Sequence, residues 1–518
     1  MKWPRAGGIL LHPTSLPGPY GVGDLGPAAL AWLDFLAAGR QKLWQVLPLH
    51  PTGFGNSPYA ALSAFAGNPL LISPERLIED GLLTRSDLDW ASTGDEQWVS
   101  AGDEQRASTG RPYVPNFPRG HVDYGRVIPW KTALLRTAYA RYRRGSAPEL
   151  AAELASFRER HAPWLPDYAL FAALKDAHDG AAWTHWPEPL RERDESALAD
   201  ARERLAEDIA FHEFAQFLFF RQWAAVRAAA HECGIRIIGD VPIFVAHDSA
   251  DAWAHRELFQ LDARGEPLVV AGVPPDYFSP TGQRWGNPLY RWDALKQSGY
   301  TWWIDRVRAA LDLVDIIRLD HFRGFHAYWE IPGTDETAER GRWVPSPGAA
   351  LFEAIRSTLG DVPLIAEDLG QLTLGVHLLR QRLGLPGMRV LQFAFGGNAK
   401  SAHLPHNFTR DTVVYTGTHD NDTTRGWFTA AGEHERTYAL RYLDTGVEQI
   451  TRAMVRAAYA SVAALAIVPL QDVLDLDSAA RMNFPSRPNG NWEWRVEEGQ
   501  ITPAVAKWLA QLATTYGR

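Results

Sequence analysis

The run IIRLDHFRG (316–324) carries apolar residues into Arg318, Asp320 and His321, a costly load for the end of a strand that reads as buried. Arg318 and Asp320 are two apart, so in a strand they share a face, and the guanidinium would keep the carboxylate ionised. Other apolar runs end in the same way. IRIIGDVPIF (235–244) delivers Asp240, VPLIAEDLG (362–370) delivers Glu367 and Asp368, and TVVYTGTHDND (412–422) delivers His419, Asp420 and Asp422. Each has a structural alternative: an ion pair for Arg318 and Asp320, a helix-capping acid for Glu367, an Asx-turn for THDND. Needing all of them at equivalent strand ends is a poorer explanation than a shared site. Three carboxylates without a thiol suit retaining glycosyl transfer. One ionised carboxylate attacks the anomeric carbon, one protonated carboxyl gives its proton to the leaving oxygen, and a third binds sugar hydroxyls in the cation-like transition state. The proton donor must stay protonated near neutral pH, so burial or a neighbouring negative charge should raise its pKa. The rival is a metal-dependent barrel hydrolase, since DHFRGFH and THDND offer His and Asp. However, the first strand ends only in His12 and Ser15, with no H-x-H, and no HExxH occurs.

Eight apolar runs could position these groups: 8–15, 43–53, 235–244, 314–322, 362–370, 388–395, 412–422 and 465–473. Amphipathic stretches such as AALAWLDFLAAG (28–39) and TWWIDRVRAALDLV (301–314) separate most of them. Apolar strands alternating with helices predict an α/β fold with a parallel sheet, and eight units predict a (β/α)8 TIM barrel whose strand C-termini carry the site. An open doubly wound sheet is the alternative, but GGILLHPTSLPG is a poor phosphate loop. The spacing predicts one catalytic barrel over 1–518, with mostly helical insertion over 54–230 and a second insertion over 247–300. The second includes a Gly- and Pro-punctuated covering loop, 271–290, with Trp253, Tyr277, Phe278, Trp285 and Tyr290 within or near it as an apolar acceptor platform.

The 518 residues are 46% hydrophobic and 22% charged with a formal charge of −9, so nothing suggests a nucleic-acid groove or a membrane patch. A single cysteine, Cys233, allows no disulfide within the chain, and MKWPRAGG lacks the apolar core of a signal peptide. The expectation is a soluble cytoplasmic protein. The 21 tryptophans, several in loops such as QRWGNPLYRW and GNWEWR, favour a flat ligand such as a sugar.

RLDHFRG, AEDLG and TGTHDND occur in order with GDVPIFV, GVPPDYFSPTGQRWGNPLY, SPYAALSAFAGNP and RMNFPSRPNGNWEWR. Together these resemble the amylomaltases, bacterial 4-α-glucanotransferases of glycoside hydrolase family 77 in the α-amylase superfamily. The resemblance runs from ILLHPTSLPGPYGVGDLG to the C-terminus. It implies the barrel without a C-terminal β-domain, and α-1,4-glucan disproportionation through a covalent enzyme intermediate. By motif position it implies Asp320 as nucleophile, Glu367 as general acid/base and Asp420 as transition-state stabiliser. Arg318 would orient Asp320, Asp240 and His419 would contact the sugar, Tyr59 would stack on it, and Asp276 and Trp285 would belong to the covering loop. Neither metal nor organic cofactor is implied. Expected partners are maltooligosaccharides, amylose, starch- or glycogen-derived glucans and glucose as acceptor, with the protein a monomer or weak homodimer. Phe54 stands where relatives often carry Tyr, and Pro280 where some carry an acid. The alternatives are an α-glucan hydrolase with the same carboxylates and a non-catalytic glycan-binding protein.

Overall fold

The computed structural model describes residues 3–90, 117–275, 279–370, 372–485, 487 and 489–518. Its strands are β1 (Ala6–Leu10), β2 (Leu43–Gln45), β3 (Arg236–Pro242), β4 (Val269–Val273), β5 (Gln283–Pro288), β6 (Ile316–Asp320), β7 (Ala327–Pro332), β8 (Arg342–Pro345), β9 (Leu364–Ala366), β10 (Gly387–Val390), β11 (Thr412–Tyr415) and β12 (Leu465–Pro469). Eight of these close a barrel in the order β1-β12-β11-β10-β9-β6-β3-β2, with every pairing parallel. They coincide with the eight apolar runs. A strand buried on both faces must be apolar on both, so the sequence shows a continuous block rather than an alternation. Closure requires close approach in places: a Cβ on Gly8 of β1 would lie 2.5 Å from Leu43 Cβ and 2.6 Å from Leu43 O on β2.

Helices cover the outer face. The helix Ile450–Ala460 buries Ile450, Ala453, Met454, Val455, Ala458 and Tyr459, an i, i+3, i+4, i+8 stripe that can only face inward. After β12 the described residues add short helical turns and the helix Pro503–Tyr516, and no further named strand. Among the described residues no helix is long and apolar enough to cross a membrane.

Between β2 and β3 lie helices that include Tyr124–Arg143, Leu150–Arg160, Leu165–Ala177 and Ala206–Glu232. The last ties them to the barrel. Trp223 Nε1 donates to Leu313 O over 2.8 Å, and two buried glutamines each hold both backbone groups of one residue. Gln216 pairs with the N–H and C=O of Gly67 at 2.7 and 2.8 Å, and Gln222 with those of Ser73 at 2.7 and 3.3 Å.

A second sheet, four-stranded and antiparallel in the order β5-β4-β7-β8, was not expected from the sequence. The expected covering loop is therefore largely two strands of this sheet, with a short connection between β4 and β5 in which 276–278 lie outside the described residues. Two of the platform aromatics are core instead. Trp253 and Tyr290 are fully buried, and Tyr290 OH donates to Ile243 O at 2.8 Å. The loop tryptophans divide likewise: Trp292, Trp492 and Trp494 are buried, whereas Trp285 and Trp343 stay partly exposed. Packing claims most of what the composition suggested for a ligand.

Replacing Gln216 by Leu leaves the amide and carbonyl of Gly67 buried and unpaired. The expected loss is about 2–4 kcal/mol, seen as a lower thermal midpoint with activity per folded molecule retained.

Candidate active site

The barrel register assembles the site. Asp240 on β3 pairs directly with Arg318 on β6, and Pro242 with Asp320, so Asp240, Arg318 and Asp320 all face the barrel interior near its C-terminal mouth. The Arg318 side chain is 4% exposed and that of Asp240 0%. Arg318 Nη1 donates both to Asp240 Oδ2 and, at 2.9 Å, to Asp320 Oδ1. Its Nε lies 3.4 Å from Met388 Sδ on β10. One buried guanidinium thus serves two carboxylates from neighbouring strands, and Asp320, with 28% of its side chain exposed, is the one that reaches the cleft. Arg318 is held far above its usual pKa: burial works against its charge, but Asp240 and Asp320 outweigh it. Burial pushes Asp240 up, and Arg318 opposes this.

Glu367 follows β9. Its Oε2 accepts the His321 N–H at 2.8 Å and its Oε1 the Leu369 N–H at 3.0 Å, which fixes the carboxyl plane. His321 reaches that position with φ of 50°, a left-handed turn at the end of β6. Burial raises the Glu367 pKa to about 7, Asp320 adds to the rise, and Arg318 with the two backbone donors holds it back. Two carboxyls on adjacent strands therefore differ in surroundings: Asp320 accepts from a cation, and Glu367 is buried beside a negative charge, with its pKa raised to about 7.

The third acid lies on the loop after β11. Asp420 accepts from Asn483 Nδ2 at 2.6 Å through Oδ1 and lies 3.3 Å from His419 Nε2 through Oδ2. Its side chain is half exposed but stands within the cleft. Burial opposes its charge, yet His419 and Asn483 hold its pKa well below the usual carboxylate range. His419 is shifted upward: burial works against its charge and Asp420 outweighs it. Tyr59, from the insertion after β2, donates to Asp240 Oδ2 at 2.7 Å and stacks on His419, with centroids 5.0 Å apart and planes at 17°. Trp285 on β5 meets His321 edge-on at 4.8 Å.

Asp320, Glu367, Asp420, Asp240, Arg318, His419, Tyr59 and Trp285 are therefore linked around one mouth of the barrel. Asp276 lies outside the described residues. Two strand-end acids belong elsewhere. Asp368 is buried between Arg380 at 3.2 Å and Arg389 at 3.5 Å, and Asp422 accepts from the Thr423 N–H and Ser478 Oγ as a turn and cap residue. The sequence reading missed His321 as a backbone donor and Asn483. The RLDHFRG motif contained a signal for the first, while Asn483 lies in a C-terminal motif with no strand end to mark it. Among the described residues no group of three or more His, Cys, Asp or Glu is arranged to hold a metal ion.

Comparison with known proteins gives a consistent answer. The family model described as 4-alpha-glucanotransferase matches residues 11–502. A Thermus thermophilus protein named 4-alpha-glucanotransferase is 53% identical over 99% of both chains. A Solanum tuberosum protein, 4-alpha-glucanotransferase, chloroplastic/amyloplastic, is 44% identical over 99% of this chain and 86% of its own. The solved amylomaltase from Streptococcus agalactiae in complex with acarbose superposes with a TM-score of 0.90 at 38% identity, over 99% of both chains.

Replacing Asp320 by Asn removes the negative charge beside Glu367 and leaves Arg318 less engaged. The Glu367 pKa then falls from about 7 toward the ordinary carboxylate range, read by carboxyl-region infrared or 13C NMR titration.

Proposed function

The chain belongs to the 4-alpha-glucanotransferases, and from that premise we propose that Asp320, Glu367 and Asp420 carry out the transfer as nucleophile, acid/base and transition-state stabiliser. Asp320 Oδ1 is held by Arg318, so Oδ2 is the oxygen that attacks the anomeric carbon. As the C1–O4 bond breaks, Glu367 gives its proton to the departing O4, leaving the donor glucan as an ester on Asp320. In the second half, the Glu367 carboxylate takes the proton from the 4-hydroxyl of an acceptor glucan. That oxygen attacks C1 from the same side as the first leaving group, the ester breaks, and Asp320 is released. Two inversions give net retention.

The observation that carries this reading is the contrast between Asp320, fixed by a guanidinium, and Glu367, buried with a pKa of about 7. An acid must keep its proton near neutral pH, and the raised Glu367 pKa suits it to that part. One guanidinium facing two carboxylates leaves the floor net negative, which favours a sugar that becomes cationic in the transition state. Asp240, its side chain fully buried, bears on the sugar through Arg318 and Tyr59, both of which donate to its Oδ2. Tyr59 and His419 form the wall beside it. Asp276, with Trp285, is proposed to cover the cleft.

The substrates are α-glucans. We infer maltooligosaccharides, amylose and starch- or glycogen-derived glucans as donors, glucose as a small acceptor, one catalytic barrel with rim insertions, and a monomer or weak homodimer. A single cysteine agrees with a reducing compartment such as the cytoplasm.

Incubation with maltotriose yields both glucose and longer oligosaccharides. Glucose and maltose alone would mark the protein as a hydrolase. Asp320→Asn stays folded and loses nearly all turnover, because an amide cannot form the ester. Glu367→Gln is slowed strongly on natural glucans but not in the first step with glycosyl fluorides, which leave without a proton; equal losses on both donors would remove Glu367 from the acid role.

Glu367 is protonated below about pH 7 and ionised above it. On natural glucans kcat/KM therefore falls on the alkaline side of about pH 7, and that limb is absent from glycosylation by a fluoride donor. Trp285→Ala raises the ratio of hydrolysis to transfer in the product analysis, since the partly exposed indole beside His321 shields the intermediate from water.

A further inference from the structure

The motif RMNFPSRPNGNWEWR has no role in the chemistry above, yet its described residues reach the catalytic mouth at several points. Arg481 Nη2 donates to the backbone carbonyl of Asp420 at 2.6 Å, and Arg481 Nε donates to Asn483 O at 2.7 Å. The Asn483 N–H donates to His419 O at 3.2 Å, and Asn483 Nδ2 donates to Asp420 Oδ1 at 2.6 Å. Further along, the Trp492 ring lies 5.7 Å from Tyr59 and 5.9 Å from His419.

The arm is itself anchored. Asn491 accepts the Phe484 N–H at 2.7 Å and donates to Arg487 O at 2.7 Å, while the Trp492 N–H donates to Met482 O at 2.8 Å. Tyr124 OH donates to Trp492 O at 3.0 Å, and the buried Arg495 donates to Gly18 O at 2.9 Å. The arm is therefore pinned to the loop after β1 and to the helical insertion on the C-terminal side of its contact with Asp420.

We propose that Asn483 is a positioning residue for transfer, fixing the Asp420 carboxylate so that it presents two lone pairs to adjacent hydroxyls of the reacting sugar. A carboxylate only accepts, so the Asn483 amide must turn its NH2 toward Asp420. Each carboxylate oxygen offers about two lone-pair sites. Asn483 takes one on Oδ1 and His419 one on Oδ2, which leaves one on each oxygen. That remaining pair suits two neighbouring hydroxyls on one ring, whose hydrogen bonds tighten as the ring flattens toward the cation. Without Asn483 a half-exposed carboxylate can rotate about χ2 and lose this alignment. Arg481 acts in the same direction on the backbone of Asp420 and leaves the carboxylate to Asn483.

The inference rests on the role given to Asp420, so Asp420→Asn is measured alongside. The charged and titratable groups facing Asp420 are His419 on its own loop, Arg318 and Tyr59 across the cleft, and Arg481 on the arm. Asn483→Ala should lower kcat by roughly tenfold to a hundredfold on both maltotriose and a glycosyl fluoride, with KM within about threefold and the thermal midpoint little changed. Loss on the fluoride separates it from a change at the acid/base. Asn483→Asp keeps the side-chain shape but places a second carboxylate against Asp420, so the acid limb of its kcat/KM profile moves to higher pH. Asn483→Ala activity within threefold of the parent, a loss carried by KM, or an unmoved Asn483→Asp profile overturns the proposal. If Asn483→Ala does not fold, the Asn483→Asp profile decides alone. An Asp420→Asn enzyme that stays active removes the underlying role of Asp420, whereas an inactive Asp420→Asn beside an unaffected Asn483→Ala removes only Asn483.

Discussion

A single buried guanidinium bears on two carboxylates, and most of the site follows from that arrangement. Arg318 is almost wholly buried, and Asp240 and Asp320 both accept from it, which compensates its charge. This sets the register of β3 against β6, because the pairing of Asp240 with Arg318 puts the two side chains on one level of the barrel interior. It also fixes the orientation of Asp320, the proposed nucleophile, through Oδ1. Both acids accept from the same nitrogen, Nη1, while Nε lies against Met388 Sδ.

The same charge governs the neighbouring acid. Arg318 draws the Glu367 pKa down, while burial and Asp320 push it up, and the balance falls near neutrality. Had Glu367 been placed closer to the cation it would ionise and could no longer donate a proton. Had Asp320 been absent, burial alone would have to hold it neutral. Glu367 is thus set by burial and by Asp320 as well as by Arg318. Asp420, on the loop after β11, is also touched by the Arg318 charge: burial pushes its pKa up, and His419, Asn483 and Arg318 together hold it down.

How much of this was legible in the sequence depended on whether the relevant contact was local. The eight barrel strands were readable because both faces are buried, and each appears as an apolar block with charge at its end. The rim sheet was not. The residues of β8, RWVP, are largely exposed, and β4 and β5 carry Gly and Pro that read as loop punctuation. Charge at a strand end was also ambiguous between neighbours. Glu367 and Asp368 are adjacent in AEDLG, yet their side chains alternate, so one meets the cleft and the other an arginine pair outside it. Asn483 was invisible for a different reason. It meets Asp420 across 63 positions of chain, and nothing in its immediate neighbours marks it. The tryptophan content pointed to the right ligand class although Trp292, Trp492 and Trp494 are buried, and Trp492 still stands against Tyr59 and His419 at the site.

The floor of the site is built from barrel strands, and its walls are built from segments that the barrel does not need for closure. Tyr59 comes from the insertion after β2, Trp285 from the rim sheet, and Trp492 and Asn483 from the C-terminal arm. Tyr59 couples the two layers. Its hydroxyl donates to Asp240 on the floor while its ring, with that of Trp492, encloses His419, so the position of the wall is registered on the charge network below. The arrangement has a consequence for choosing between a sugar and water as acceptor. Discrimination requires a wall that excludes water and matches a glucan, and such a wall can vary in shape as long as Tyr59 and the arm keep their contacts with Asp240, His419 and Asp420. The barrel, by contrast, cannot vary at Arg318 without leaving a buried charge unpaired. The charge network of the floor is therefore held by barrel strands, while the contacts of Asn483 and Tyr59 tie the surrounding segments to it.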